Sequence, residues 1–430
     1  MLDLVADDAD APAQYGVLAA RLAQALGLPL RHLSASFDTA RHADALQHVS
    51  VDGVLVPSGL LWADRLGGPP VGAPLDPAAL LALAAEQDVV VPFHPANARA
   101  LGPLDQLVAQ AEQARVPVIR YRVAREAGSG IARVVAAVPG ARETVHGLCA
   151  ARQDRFGRWR DADGDWDNDA SDDWNDDDQS TAVGTAAATP LHIVLVGRED
   201  EQREGYPATL AALADAADAV GVALRVTFVA AQTLDDGNVG AALAGCDGVV
   251  LPGGADMARV AGQIAAAGHA WRSRTPIVGL CLGMQSMATA VARHALARRD
   301  IGMLEAEPGI RLPSFMPIES GPAGEALVHR LGRQTTTLAP GSRLHALLGP
   351  EHAIRCNHRY QLNPALDAPL AAAGVAIVAR DDTGRIADAI EARDHPFFIG
   401  MQGHPELDST DGAAHPLLCA FLDTVRGRVG

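Results

Sequence analysis

The chain has 430 residues, of which 48% are hydrophobic and only 4% aromatic, and its formal net charge is −17 at pH 7. This length predicts two or three domains. The acidic balance disfavours a surface that binds nucleic acid or anionic lipid, and no apolar run reaches the roughly 18 residues of a membrane helix. The acidic start, MLDLVADDAD, differs from the basic start of a signal peptide, so we expect a cytoplasmic protein.

The cysteines and the basic residues restrict the chemistry. The five cysteines contain no CxxC pair, which disfavours disulfides and a zinc site, so we predict no metal centre. All 35 basic residues are arginine. A standard P-loop needs a lysine on the nucleotide phosphates, and Schiff-base catalysis needs a lysine amine. The sequence excludes both.

Residues 1–150 alternate strand-like and helix-like segments, which indicates a parallel sheet with helices on both faces. The predicted strands are 2–5, 51–56, 89–93 and 116–121, and the predicted helices are 14–26, 77–86 and 104–115. Asp76 followed by Pro77 is a typical helix start. We therefore predict an α/β domain of doubly wound, flavodoxin-like architecture over residues 1–150.

The segment from residue 151 to residue 190 has a very different composition. Between Asp161 and Asp178 it holds ten aspartates and no basic residue, a charge of about −10. Such a run buries too little apolar surface to offset its ordering entropy, so we predict an acidic disordered linker over 151–190. A calcium loop is the alternative, because aspartates alternate from 161 to 169. An EF-hand loop starting at Asp161 would need glycine where the chain has Trp166.

Residues 191–430 restart the α/β pattern and predict a second doubly wound domain. The predicted strands are 192–196, 224–229, 248–251, 276–280, 375–379 and 397–401, and a helix is predicted at 206–220. DGVLVPSG at 52–59 parallels DGVVLPGG at 247–254, and in this register Phe93 takes the place of Cys281. One interpretation is a duplicated domain whose first copy lost its chemistry. The other is that two doubly wound sheets share such spacings by construction.

The sharpest chemical signal is the segment PIVGLCLGMQSMATAVARHAL at 276–296. A strand-like run ends just before Cys281, and a helical pattern follows it. This order is typical of a nucleophile elbow, whose tight turn the nearby Gly279 and Gly283 permit. The helix N-terminus behind Cys281 would favour the thiolate. The alternative is an unreactive cysteine buried on a strand.

Two further strand ends supply partners for such a nucleophile. FFIGMQGHPEL at 397–407 ends in His404 and Glu406, an imidazole that can accept a thiol proton and a carboxylate that can orient it. Their i, i+2 spacing would place both on one side of an extended segment. Gly253 follows another strand-like run, where its N–H and that of Leu282 would form an oxyanion site. An ordinary turn is the alternative for Gly253.

Together these segments resemble the class I (triad) glutamine amidotransferases, in particular the glutaminase domain of CTP synthases, over about residues 191–428. The motifs stand in the same order: CDGVVLPGG, PIVGLCLGMQ, RLGRQ, NHRYQLN, DHPFFIGMQGHPE and HPLLCAF. Gly403 departs from the family, which usually has an aromatic residue before the histidine. Residues 1–150 lack lysine and a G-x-x-x-x-G-K-[ST] loop, so they lack the amidoligase features of a CTP synthase.

The resemblance implies a role for each matching residue. These are Cys281 as the nucleophile, His404 as its base, Glu406 as the orienting acid, Gly253 and Leu282 as the oxyanion site, Gln285 at the glutamine pocket, Glu305 at the substrate's α-amino group and Arg359 at its α-carboxylate.

The implied reaction is hydrolysis of L-glutamine through a γ-glutamyl thioester. Ammonia would pass to an acceptor, UTP or another, on an ATP-dependent synthetase partner or on the N-terminal domain. The glutaminase step needs no cofactor, and ATP and Mg²⁺ enter only with such a partner. A γ-glutamyl hydrolase and a non-enzymatic pseudo-amidotransferase that binds a partner are the alternatives. The sequence leaves homo-oligomer formation open. His94, Arg120 and Arg122, at predicted strand ends, are polar candidates in the first domain.

Overall fold

The computed structural model describes residues 1–66, 69–96, 98–126, 128, 130–136, 149–162, 189–320 and 326–429. They divide into two compact units. The first contains the described residues of Met1–Asp167 together with Asp200–Ala211, and the second contains those of Asn168–Glu199 and Ala212–Gly430. Within the described ranges, no helix is long and apolar enough to cross a bilayer.

The first unit is an α/β unit. Its strands are β1 (Leu2–Ala6), β2 (His48–Val49), β3 (Leu55–Val56), β4 (Val89–Phe93), β5 (Val118–Arg125), β6 (Ile131–Ala136), β7 (Ala150–Gln153) and β8 (Trp159–Asp161). Its helices are α1 (Val17–Leu26), α2 (Leu61–Arg65), α3 (Pro77–Glu86) and α4 (Ala98–Gln113). The predicted helix start is confirmed, because the Asp76 carboxylate accepts the Ala79 N–H at 2.8 Å.

The main sheet of this unit is half parallel and half antiparallel. Its order is β4-β1-β5-β6-β7-β8. Strand β1 pairs in parallel with β4 and β5, and the remaining pairs are antiparallel. The predicted doubly wound arrangement therefore describes only the first three strands. The short β5–β6 and β7–β8 connections cannot make the crossover that a parallel pair requires.

Helices cover both faces of the parallel part, as predicted. Successive side chains along a strand point to opposite faces of the sheet. Val5 and Val90 accordingly pack in one core with residues of α1. Leu4 and Val91 pack in another core with residues of α3 and α4. This layering fixes which loops meet at the carboxyl ends of β1, β4 and β5.

Two predicted boundaries in the first unit are wrong. Residues 51–56 were expected to form one strand, but Gly53 turns the chain with a φ of 69°, and only β3 is extended, in a separate pair with β2. The linker was expected from residue 151, but β7 and β8 belong to the main sheet. Residues 163–188 of that predicted linker, with the calcium alternative, lie outside the described residues.

The elements from residue 189 onward form the second unit, except that residues 200–211, which include the start of the helix Ala208–Val220, belong to the first. The strands are β9 (Leu191–Leu195), β10 (Leu224–Phe228), β11 (Gly248–Leu251), β12 (Ile277–Leu280), β13 (Ile301–Met303), β14 (Leu312–Pro317), β15 (Glu319–Ser320), β16 (Ala326–Leu327), β17 (Arg330–Leu338), β18 (Glu351–His358), β19 (Tyr360–Leu362), β20 (Val375–Asp381), β21 (Ala387–Ala392) and β22 (Phe398–Met401). The helices are α5 (Ala208–Val220), α6 (Val239–Ala242), α7 (Val260–Ser273), α8 (Leu282–Ala295), α9 (Arg343–Leu348), α10 (Asp367–Ala372) and α11 (Pro416–Val429).

A nine-stranded sheet forms the centre of this unit, in the order β10-β9-β11-β12-β22-β21-β20-β17-β18. The first five strands are parallel, and the other four are added in antiparallel. All six strands predicted between residues 192 and 401 are present. Helices α7, α8 and α10 share one apolar core with the sheet. The carboxyl ends of β11, β12 and β22 therefore lie side by side, where an open α/β sheet usually places its ligand.

Candidate active site

The structure places Cys281 at a strained strand-to-helix turn. It follows β12 directly and caps the N-terminus of α8 with a φ of 50° and a ψ of −105°. A positive φ at a non-glycine residue costs about 1–3 kcal/mol and is concentrated at functional sites. Gly283 permits the turn, because a Cβ there would lie 2.1 Å from the Leu251 carbonyl oxygen. This is the predicted elbow geometry.

His404 reaches the cysteine from the neighbouring strand. Strands β12 and β22 pair in parallel, with Leu280 opposite Met401, so Cys281 and His404 follow adjacent strand ends. The two residues are close enough for the charge of Cys281 to raise the pKa of the His404 imidazole. His404 is 3% exposed, so the two groups meet in a site largely closed to water.

Glu406 completes the chain of polar groups. Its Oε1 lies 2.7 Å from Nδ1 of His404, and its side chain is buried. The expected extended segment is wrong at this point, because Pro405–Asp408 forms a 3₁₀ turn with Pro405 at its start. The turn, rather than strand alternation, brings the carboxylate back to the imidazole.

The surroundings of His404 favour its protonated form. Burial lowers the pKa of His404, but the charges of Glu406 and Cys281, together with their hydrogen bonds, outweigh burial and raise it well above its ordinary value. Positive charge is thus stabilised on the imidazole next to a group that can become a thiolate. Such a pair suits a cysteine nucleophile with histidine as acid and base.

The backbone of Gly253 packs closely against Cys281 and His404. A Cβ on Gly253 would lie 3.1 Å from Cε1 of His404 and 3.4 Å from Cβ of Cys281. Leu282 is the first residue of α8, so its N–H has no acceptor within the helix. The structure thus brings both residues of the predicted oxyanion site against the cysteine and histidine.

Sequence reasoning missed Gln402, although it lies in the MQGHPE motif. Its Nε2 is 3.6 Å from the Cys281 Sγ, and its Oε1 accepts from Nε2 of Gln285 at 3.3 Å. Both glutamines are buried. Gln285, which the resemblance implied at the substrate pocket, therefore lies one side chain behind Cys281.

A buried ion pair supports this wall of the site. The Arg330 guanidinium forms two hydrogen bonds with the Asp388 carboxylate, and the Asp388 carbonyl accepts the Gln402 N–H at 2.8 Å. His358 lies 3.3 Å from the same guanidinium. Burial and the charge of Arg330 lower the pKa of His358 to about 3, so this imidazole is neutral at pH 7. The segments RLGRQ and NHRYQLN therefore contain residues, Arg330 and His358, that support the wall of the site.

Glu305 and Arg359 form a second, more exposed cluster. A three-stranded sheet in the order β13-β14-β19 brings together the residues that follow β13 and precede β19. Burial raises the pKa of Glu305, and the nearby positive charge of Arg359 partly opposes this shift. Asn357, two residues before Arg359, places its carbonyl oxygen 3.9 Å from the Cys281 Sγ. Arg359 therefore lies within electrostatic reach of Glu305, two residues along the chain from a backbone group near Cys281.

Gly403, the departure from the family motif, is fully packed. A Cβ at this position would lie 2.9 Å from Cβ of Ile354 and 3.2 Å from the Arg355 carbonyl oxygen. The Arg355 carbonyl also accepts the His404 N–H at 2.8 Å. Ile354 of β18 thus fills the place beside residue 403, and the wall here is closed.

The described residues provide no metal centre. Across the ranges that the structure covers, no group of three or more histidine, cysteine, aspartate or glutamate side chains is placed to hold a metal ion.

The sequence of the second unit is similar to that of known glutamine amidotransferases. A family model described as glutamine amidotransferase class-I matches residues 208–424. CTP synthase of Chloroflexus aurantiacus is 34% identical over 233 residues, which cover 54% of this chain and 43% of that enzyme. CTP synthase of Roseiflexus castenholzii is 32% identical over 255 residues, which cover 58% of this chain and 45% of that enzyme. The matches thus span less than half the length of these relatives.

A solved structure shares the fold of the second unit. The glutaminase domain of Trypanosoma brucei CTPS with bound acivicin aligns with a TM-score of 0.51 and 26% sequence identity, covering 55% of this chain and 94% of that chain. Residues 1–207 lie outside the family match. The family match covers half of the chain and includes Cys281, His404 and Glu406, so the chain belongs to the class-I glutamine amidotransferase family.

Proposed function

We propose that the chain is a glutaminase that hydrolyses L-glutamine to glutamate and ammonia, related to the glutaminase of CTP synthases. The observation that carries the proposal is the grouping of three side chains: the His404 imidazole lies within the electrostatic reach of Cys281, and its Nδ1 is 2.7 Å from the buried Glu406 carboxylate. Gly253 packs against Cys281 and His404.

The first half-reaction forms a thioester. The Cys281 sulfur attacks the γ-amide carbon, and the N–H groups of Gly253 and Leu282 stabilise the oxyanion. His404 accepts the thiol proton and donates it to the departing nitrogen, which leaves as ammonia. Glu406 orients the imidazole and stabilises its positive charge. The second half-reaction is hydrolysis: His404 deprotonates a water, which attacks the thioester and releases glutamate and the thiol.

The second cluster binds the amino-acid end of the substrate. Glu305 accepts hydrogen bonds from the α-ammonium group, and Arg359 donates to the α-carboxylate. Both charges are exposed around a site whose other polar groups are buried. Binding a zwitterion there selects free glutamine over a protein-bound amide.

The ammonia acceptor lies beyond the glutaminase step. Residues 1–150 contain neither lysine nor a Walker-type loop, so we place an ATP-dependent activation step on a synthetase partner, with ATP and Mg²⁺ bound there. UTP is the first acceptor to test, because the curated relatives are CTP synthases. The second possibility to test is an acceptor that the first unit binds.

The direct test measures ammonia and glutamate released from L-glutamine by the full chain. We expect turnover that Cys281→Ala abolishes and that Cys419→Ala leaves intact, because Cys419, on α11, has no role in the proposed reaction. A wild-type chain that forms no ammonia, alone or with a candidate synthetase, would contradict the proposal. Cleavage of a γ-glutamyl conjugate in preference to glutamine would favour a γ-glutamyl hydrolase instead.

A further inference from the structure

The first unit contains a cavity of about 540 Å³ that the glutaminase chemistry does not use. This volume is in the range of small-molecule sites, about 300–1,000 Å³. Charged side chains of both signs line it: Asp8, Asp10, Arg41, Arg122, Arg125 and Glu204.

The cavity lies at a special point of the sheet. Strand β1 lies between β4 and β5. The chain leaves β1 towards β4 on one side and leaves β5 towards β6 on the other, so the two loops diverge above a crevice. Open α/β sheets bind ligands at such a topological switch point. The lining residues Asp8 and Asp10 follow β1, and Arg122 and Arg125 end β5.

The loop that follows β1 is held in place from beneath. The buried Asp7 carboxylate accepts N–H groups from Ala9 at 3.3 Å and from Gly16 at 2.9 Å, and it pairs with Arg125 at 2.5 Å. Gly16 has a φ of 81°, and a Cβ there would lie 2.7 Å from Cδ2 of Leu60. These contacts hold the loop that carries Asp8 and Asp10.

Two of the lining groups are available to a ligand. Arg125 is engaged by Asp7 and Asp8, and Arg41 lies 3.6 Å from Glu204. Among the residues that the structure describes, the side chains of Arg122 and Asp10 have no hydrogen-bond or ion-pair partner. A guanidinium favours a carboxylate or phosphate, and a carboxylate favours an ammonium group.

We infer that this cavity binds a small zwitterion, with its anionic group on Arg122 and its protonated amine on Asp10. Both free amino acids and amino-phosphate compounds have this chemistry. The inference does not depend on the proposed glutaminase, because every lining residue belongs to the first unit.

Calorimetric titration of the full chain tests the site with two zwitterions, L-alanine and O-phosphoethanolamine. The single-charge probes are acetate, inorganic phosphate and ethylamine. We expect at least one zwitterion to bind, and each single-charge probe to bind at least about tenfold more weakly. Tighter binding of L-alanine would identify the anionic group as a carboxylate, and tighter binding of O-phosphoethanolamine would identify it as a phosphate.

Variants locate the binding. Arg122→Gln and Asp10→Asn should each weaken it about tenfold. Arg120→Gln, on the same strand but outside the cavity lining, should leave it unchanged. The inference is overturned if neither zwitterion binds at about 10 mM, if both cavity variants bind as the wild type does, or if only Arg359→Gln removes binding, since that would place the ligand in the glutamine site. Cys281→Ala should abolish glutaminase activity and leave this binding unchanged.

Discussion

Two strand ends with similar sequence spacing have different local structures. Strand β4 ends at Phe93 in regular extended backbone, with the side chain 9% exposed in an apolar core. Strand β12 ends before Cys281, whose φ of 50° turns the thiol out of the sheet. Strand β4 is at the edge of its sheet, whereas β12 lies between β11 and β22. Strand β22 brings His404 beside β12, whereas β1, which pairs with β4, is followed by Asp7.

The similar segments DGVLVPSG and DGVVLPGG also differ in their local structure. Ser58 takes the place of Gly253 in that register, and its hydroxyl donates to the Gly205 carbonyl in a buried site. The strand before Ser58 belongs to a separate two-stranded sheet, whereas β11 lies in the central sheet. The candidate active site therefore combines a strained turn, a glycine packed against Cys281 and His404, and a second strand end. The sheet orders give the duplication hypothesis no support.

Gly253→Ser, which imports the side chain of the first unit, should have the largest effect. The new Cβ would lie 3.1 Å from the His404 ring and 3.4 Å from Cβ of Cys281, so it would crowd the proposed oxyanion site. We expect kcat to fall about 100- to 1,000-fold, the loss typical of an oxyanion donor. Gly309→Ser is the matched control, because a Cβ there meets nothing within 4 Å. Retained activity in Gly253→Ser would contradict the proposed role of Gly253 in the oxyanion site.

Glu406→Gln should lower glutaminase activity by about 100-fold or more, the range of acid–base catalysis. Among the causes that raise the pKa of His404, the charge of Glu406 is the largest. Removing that negative charge disfavours the imidazolium, so the pKa of His404 should fall. Alkylation of Cys281 by iodoacetamide, followed against pH, should then shift to higher pH than in the wild type. An unchanged profile would exclude this electrostatic role.

Arg359→Gln should act on binding more than on chemistry. We expect KM for L-glutamine to rise about tenfold with a smaller change in kcat, because a charge-assisted contact to the α-carboxylate is lost. Steady-state kinetics check this split. Arg225→Gln, an exposed arginine on β10, is the matched control. A fall in kcat at constant KM would instead place Arg359 in the reaction step.

Gly403→Phe restores the usual residue of the family motif and should have the smallest effect on catalysis. It should lower the free energy of unfolding by about 1–3 kcal/mol through overpacking, because its Cβ would lie 2.9 Å from Cβ of Ile354. Ile354→Ala in the same chain should recover part of this loss. Thermal unfolding measures both variants. Equal midpoints for wild type and Gly403→Phe would show that the wall at this point is loose.

The sequence predicted the parts of the fold that local patterns determine. Strands 89–93 and 248–251 and helix 77–86 match their observed bounds, since each has a continuous apolar run or a defined cap. The antiparallel β6, β7 and β8 were missed, because alternation of elements does not specify strand direction. The strand–turn–helix order at Cys281 also followed from local residue types.

Other parts of the site depend on long-range pairing. Gln402 contacts Cys281 only because β12 and β22 are neighbours, and Glu305 approaches Arg359 only through the β13-β14-β19 sheet. The resemblance to a family supplied Glu305 and Arg359, whereas their charges alone indicate exposed surface residues. No local pattern indicated Gln402.

Covalent labelling tests the central claim most directly, namely that the Cys281 sulfur is activated beside a pocket for free glutamine. The full chain would be treated with a glutamine-mimic diazoketone, and the modified residue would be mapped by mass spectrometry. We predict one adduct on Cys281, suppressed by excess L-glutamine and absent from Cys281→Ala. No adduct on Cys281, or an equal adduct on Cys246 and Cys419, would contradict the account.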